Sequence, residues 1–60
     1  MTYYFKHPWL PSEILFSGKL FECVRFGWEF FAMVEEEEDI KIDFHPLDCI
    51  VNAKEWEVAQ

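Results

Sequence analysis

KLFECVRFGWEFFAMVE, residues 19–35, is the stretch on which the fold turns. Read with a helical period, it puts Leu20, Cys23, Val24, Trp28 and Phe31 on one face, an amphipathic stripe. Read with a period of two, it splits at Gly27. Before the glycine, Leu20, Val24 and Phe26 alternate with Phe21, Cys23 and Arg25. After it, Trp28, Phe30, Ala32 and Val34 face one way, and Glu29, Phe31, Met33 and Glu35 face the other. Aromatic and β-branched residues favour strands. Glycine costs ~1 kcal/mol inside a helix, whereas in a strand it marks a bend or bulge. These two preferences point to strands over residues 19–35, with one helix there as the alternative.

The flanking sequence extends the β reading. In IKIDF, residues 40–44, Ile40, Ile42 and Phe44 alternate with Lys41 and Asp43, the pattern of a half-buried strand. His45-Pro46 ends it. Residues 48–52 read as another short strand, Ala53-Lys54 as a turn, and residues 55–59 as a last strand or C-terminal turn. On the N-terminal side, the two prolines of MTYYFKHPWLP predict an extended arm over residues 1–11, with Trp9 and Leu10 against the core. Residues 12–17 read as a strand or a single helical turn, broken by Gly18. The predicted fold is mostly β: one domain over residues 1–60, a small antiparallel sheet or an SH3-like or Sm-like barrel of 5–6 short strands. The alternative is α+β with one helix within residues 19–35.

Sixty residues bury only about 60% of the surface of the unfolded chain, so a core must come from large side chains. The chain carries 12 aromatic residues, each able to bury roughly 150–250 Å². One small core cannot enclose them all, and clustered exposed rings mark interaction sites. The net charge of −7 is unevenly spread. Residues 1–28 set Glu13 and Glu22 against Lys6, Lys19 and Arg25, a net of +1, whereas residues 29–60 set ten acids against Lys41 and Lys54, a net of −8. This balance argues against direct nucleic-acid binding, which needs a basic footprint, and against anionic membranes. It favours a basic surface on another macromolecule. The start of the chain shows no leader-peptide pattern, and the longest apolar run, residues 30–34, falls far short of the ~20 residues of a membrane span. With Cys23 and Cys49 as the only cysteines, a cytoplasmic protein with reduced thiols is expected.

Motifs for chemistry are sparse. His45 and Cys49 have a spacing a zinc site can use, with Cys23 and His7 as further ligands, but no tight cysteine or histidine pair accompanies them. Buried, reduced cysteines are the plainer reading, and no metal or cofactor is expected. His45 and Asp48 could orient one another, and Ser12 and Ser17 are the notable hydroxyls. There is no nucleophile-elbow motif, P-loop or dinucleotide turn, and only two glycines. The acid run lacks the alternation of an EF-hand loop. Catalysis is not expected.

VEEEEDIKID, residues 34–43, is the outstanding feature. On the β reading it is a hairpin tip, whose charges either keep a sheet edge solvated or form a face complementary to a basic groove. Alternate strand residues lie about 6.6–6.8 Å apart, so a charged edge bearing Asp39 and Asp43 would present a row comparable to successive phosphates. Phe31 and Met33, sharing a face with Glu29 and Glu35, are candidates for an apolar anchor inside an acidic rim; the plainer reading places them in the core. In size, charge and aromatic content the chain resembles the small acidic inhibitors encoded by bacteriophages, anti-CRISPR proteins and DNA mimics among them. That resemblance implies a non-enzymatic inhibitor in the host cytoplasm, a monomer or weak homodimer, that blocks a basic, nucleic-acid-binding protein surface. The candidate partner-binding residues are Glu29, Phe31, Glu35, Glu36, Glu37, Glu38, Asp39 and Asp43, extended by Asp48, Glu55 and Glu57 where the fold gathers them. The alternative is a small barrel adaptor or regulatory subunit of a permanent oligomer.

Overall fold

A computed structural model describes residues 1–59. The first ordered element is a strand at the N-terminus, β1 (Tyr3–Lys6), and it is the central strand of the molecule. The antiparallel strand β2 (Ile14–Gly18) lies on one side of it, and β3 (Ile50–Asn52), also antiparallel, on the other. Phe5 stands opposite Phe16 in β2 and Ile50 in β3. The register then shifts by a bulge between Phe5 and Lys6. The expected extended arm over residues 1–11 is therefore a sheet strand followed by a tight loop, in which Trp9 and Leu10 are half-exposed rather than held against the core. His7 N–H donates to the Glu13 carbonyl and Glu13 N–H to that of Leu10, both at 2.8 Å.

Residues 19–35 are not strands. From Leu20 on they belong to one 19-residue helix, α1 (Leu20–Glu38), which absorbs most of the acid run. The expectation of a 5–6-stranded barrel is thus overturned: the fold is α+β, a three-stranded antiparallel sheet with one main helix, which was the alternative. Of the other expected strands, that over residues 40–44 is absent and that over residues 48–52 is present only as β3. Ile40–Phe44 is an irregular connection despite its alternation, and Ile42 N–H bonds to the Glu35 carboxylate at 2.8 Å instead of entering a ladder. Residues 48–52 begin in the 3-10 turn Pro46–Cys49 before becoming β3, and the C-terminal segment is a short helix, α2 (Ala53–Ala59).

The reason is the core. Phe5 is fully buried, and its ring makes edge contacts with Phe26 (5.2 Å), Phe30 (6.1 Å) and Phe31 (6.1 Å). Phe26 stacks on Phe16 at 4.9 Å, and Phe31 meets Phe44 at 5.3 Å. Such ring pairs each contribute about 0.5–1.5 kcal/mol beyond area burial. A strand would send Phe30 and Phe31 to opposite faces, whereas a helix turns both toward Phe5. The buried stripe is Cys23, Gly27, Phe31 and Val34, rotated from the stripe expected for a helix, and Leu20 and Trp28 stay exposed. Gly27 is the point of closest approach. A Cβ there would lie 2.5 Å from Pro46 Cβ and 2.7 Å from Phe5 Cε2. The glycine that argued for a strand break is a packing residue in a helix.

Local signals mark both ends of α1. At the start, Glu22 accepts the Lys19 N–H at 2.8 Å, satisfying one donor that the helix leaves unpaired. At the end, Asp39 adopts a left-handed conformation, φ 52° and ψ 47°, which aspartate tolerates better than most residues. No helix of the described residues is long and apolar enough to cross a membrane.

Candidate functional site

The long axis of the molecule is 36 Å, and a 19-residue helix rises about 28 Å. The C-terminal end of α1 is therefore close to one pole of the fold, and the acids collect there. Glu36, Glu37, Glu38 and Asp39 are all exposed. They sit where the backbone carbonyls already place a negative partial charge, and the last turn carries no basic residue. Each such carboxylate opposes the helix dipole by about 0.3–1 kcal/mol at low salt. Among the described residues these four form no ion pair; the ion pair present is Arg25–Glu29, at 3.7 Å on the exposed face of α1.

The other candidates divide. Glu35 is half-buried, and its carboxylate is committed to Ile42 N–H, so it holds the chain as it turns away from α1. Glu29 is exposed and shares one helix face with half-buried Glu22 and exposed Glu36, at successive seven-residue intervals of about 10.5 Å. Asp43 is exposed in the connection that follows α1, and Asp48 is exposed in the Pro46–Cys49 turn. Glu57 lies elsewhere. It accepts the Tyr4 hydroxyl at 3.1 Å, which raises the Tyr4 phenol above its ordinary range. Because Tyr4 and Phe5 point to opposite faces of β1, Glu57 is on the sheet face away from α1 and does not extend the acidic pole.

Phe31 is not a surface anchor. It is 3% exposed and part of the core. Met33 is 47% exposed, with Glu29 and Glu37 four residues either side and Glu36 three residues on. Those positions are neighbours on a helix surface. Met33, rather than Phe31, is thus the exposed apolar side chain with glutamates at neighbouring helix positions. The row of charges along a strand edge does not form: Glu36, Glu37 and Glu38 fan around the helix at about 100° per residue.

Comparison with protein-family models, curated proteins and solved structures finds no match. His45 Nδ1 accepts Leu47 N–H at 3.0 Å and caps the Pro46–Cys49 turn, and its ring meets Trp28 at 5.1 Å; it is engaged structurally rather than paired with Asp48. Cys23 and Cys49 are free and buried, and burial pushes both thiols above their usual range. Cys23 directs its thiol to the Tyr3 carbonyl at 3.4 Å. Among the described residues no three His, Cys, Asp or Glu side chains are placed to hold a metal ion.

One element of the acidic pole is invisible in the linear sequence. A cavity of about 390 Å³ opens beside the last turns of α1, lined among others by His7, Trp9, Phe30, Glu37, Glu38 and Ile40. The β1–β2 loop, distant in sequence, carries Trp9 to the acid run. A Trp between two prolines, with a His just before the first, was the available signal.

Proposed function

We propose that this protein is a non-enzymatic binding protein that docks its acidic pole on a basic protein surface, one that ordinarily holds nucleic acid, and blocks it. The observation that carries the reading is the exposed quartet Glu36–Asp39 at the negative end of α1. A helix end is a poor place for four like charges, and a 60-residue fold has little stability to spare. A cationic partner relieves that repulsion on docking. The charge density supports the comparison with nucleic acid in a form different from a strand edge. Successive helix residues rise about 1.5 Å, close to the ~1.7 Å of axis per charge in duplex DNA. Met33 supplies apolar contact beside the acids. The small acidic phage inhibitors that the chain resembles in size, charge and aromatic content act in this manner, in the cytoplasm of a bacterial host.

The test is the triple substitution Glu36→Gln, Glu37→Gln, Glu38→Gln. Immobilised wild-type protein captures a nucleic-acid-binding protein from nuclease-treated bacterial lysate at low salt, releases it at high salt, and inhibits its nucleic-acid binding. The triple variant binds more weakly, chiefly through a slower association rate. Equal capture and equal inhibition by the variant refute the proposal.

A second reading is favoured by a different surface. Phe21 (65% exposed), Trp28 (52%) and Leu47 (50%) form an apolar flank, with Phe21 and Trp28 seven residues apart on α1 and Leu47 beside the His45 ring that Trp28 touches. A subunit of a permanent oligomer would bury that flank. A melting temperature that rises with protein concentration supports it.

A further inference from the structure

The cavity at the acidic pole is small. Its volume of about 390 Å³ lies near the lower end of the ~300–1,000 Å³ range of ligand pockets, which suits one long side chain better than a folded cofactor. Its walls are of two kinds. His7, Trp9 and Phe30 contribute rings, and Glu37 and Glu38 contribute carboxylates, over a floor that includes buried Val34.

The aromatic wall is firmly built. His7 Nδ1 accepts two backbone N–H groups, from Trp9 at 3.1 Å and from Leu10 at 3.2 Å. These two bonds fix the ring against the loop. The His7 ring meets Trp9 at 5.8 Å and Phe30 at 5.7 Å, both edge to face. Together with the two backbone bonds that close the loop over residues 7–13, these contacts hold Trp9 in place although it is 50% exposed. A fixed, half-exposed indole beside two carboxylates that make no ion pair among the described residues is a surface prepared for a partner.

We infer that this cavity receives one arginine side chain of a partner protein, the guanidinium lying against the Trp9 indole and its N–H groups meeting the carboxylates of Glu37 and Glu38. The inference rests on the basic-partner reading above and names the contact that confers specificity on it. An anionic ligand would be repelled by the glutamates. A neutral apolar ligand would desolvate them without compensation. A cation satisfies rings and carboxylates together, and tryptophan is the best aromatic partner for one. Arginine is preferred over lysine because its planar, weakly hydrated guanidinium stacks on a ring while its N–H fork engages carboxylate.

The test is a titration of ¹⁵N-labelled protein with N-acetyl-arginine amide, N-acetyl-lysine amide and N-acetyl-glutamine amide, followed at the three indole N–H signals. Trp28, against His45, and Trp56, lining a separate cavity, serve as internal controls. The arginine probe shifts the Trp9 signal saturably and leaves the other two in place; the lysine probe binds several-fold more weakly, and the glutamine probe does not bind. Trp9→Leu weakens the arginine probe about 5-fold or more, as does the pair Glu37→Gln, Glu38→Gln, with the far-ultraviolet circular dichroism spectrum unchanged. Should Trp9→Leu unfold the chain, Trp9→Phe retains a ring and gives a loss of about 2-fold. Equal response of all three indoles, equal binding of arginine and glutamine probes, or undiminished affinity in folded Trp9 variants overturns the inference. A hexa-arginine peptide separates the two levels. If it shifts the Glu29 and Glu36 amides while Trp9 stays still, the cavity inference fails and the basic-partner reading stands. If the single-residue arginine probe enters the cavity but the wild-type protein captures only partners that do not bind nucleic acid, the cavity inference stands and the wider reading fails.

Discussion

Replacing Gly27 with alanine adds one methyl group where α1 packs closely on Pro46 and Phe5, and the size of the effect follows from the geometry. The new Cβ would sit 2.5 Å from Pro46 Cβ and 2.7 Å from Phe5 Cε2. Carbon atoms pack best at about 3.5–4.0 Å, so each neighbour must retreat by roughly 0.8–1.0 Å. Neither has an easy path: both Pro46 and Phe5 are fully buried rings. Overpacking of this kind costs about 1–3 kcal/mol, and two rigid neighbours place Gly27→Ala at the upper end. Against that, alanine is the better helix former by about 0.8–1 kcal/mol. The expected net destabilisation is about 2 kcal/mol, out of a total of roughly 3–9 kcal/mol for a chain this size. With a urea m-value of about 1 kcal/mol/M, the unfolding midpoint falls by about 2 M. Urea titration followed by circular dichroism measures it. Ala32→Gly, at an exposed position of the same helix, is the control, and loses about 1 kcal/mol through propensity alone. A Gly27→Ala midpoint equal to or above that of the wild type would refute the claim that this contact seats α1 against Pro46 and the sheet.

Phe31→Ala removes a ring packed on Phe5, Phe30 and Phe44 and should cost about 3–5 kcal/mol, leaving the chain largely unfolded; Met33→Ala should leave the melting curve nearly unchanged, and the reverse order would invalidate the assignment of the two helix faces. Glu35→Ala deletes the acceptor for Ile42 N–H and should cost about 1–2 kcal/mol, with faster hydrogen exchange at the Ile42 amide as the specific signature; unchanged exchange there would show that the bond is not a constraint. Cys23 and Cys49 should react slowly with a thiol reagent in the native state and rapidly in urea. Burial raises both folded thiols above their unfolded value, so the stability they contribute is fully present below the unfolded value near pH 8.5 and is lost as pH rises through the folded one. A melting temperature that climbs between about pH 8 and 10 would contradict that sign.

Several features were legible from residue identities alone. The concentration of acids from Glu29 onward, the shortness of every apolar run and the surplus of rings beyond what one core can hold all follow from counting and spacing, which folding does not alter. So does the break near Gly18, where β2 ends and α1 begins. The choice between helix and strand for residues 19–35 was not legible. Local preference per residue is worth about 1 kcal/mol or less, and here it pointed to strands. What decided it was the demand of Phe5, three residues into β1, for Phe26, Phe30 and Phe31 around a single ring, together with a glycine at the position where Pro46 closes on the helix. The same long-range packing turned Phe31 inward and Met33 outward, converted the clean alternation of Ile40–Phe44 into an irregular connection tied to Glu35, and carried Trp9 to Glu37. Those contacts join segments far apart in the chain, so no reading of neighbouring residues contains them; they exist only once burying the rings has outweighed what each segment would prefer by itself.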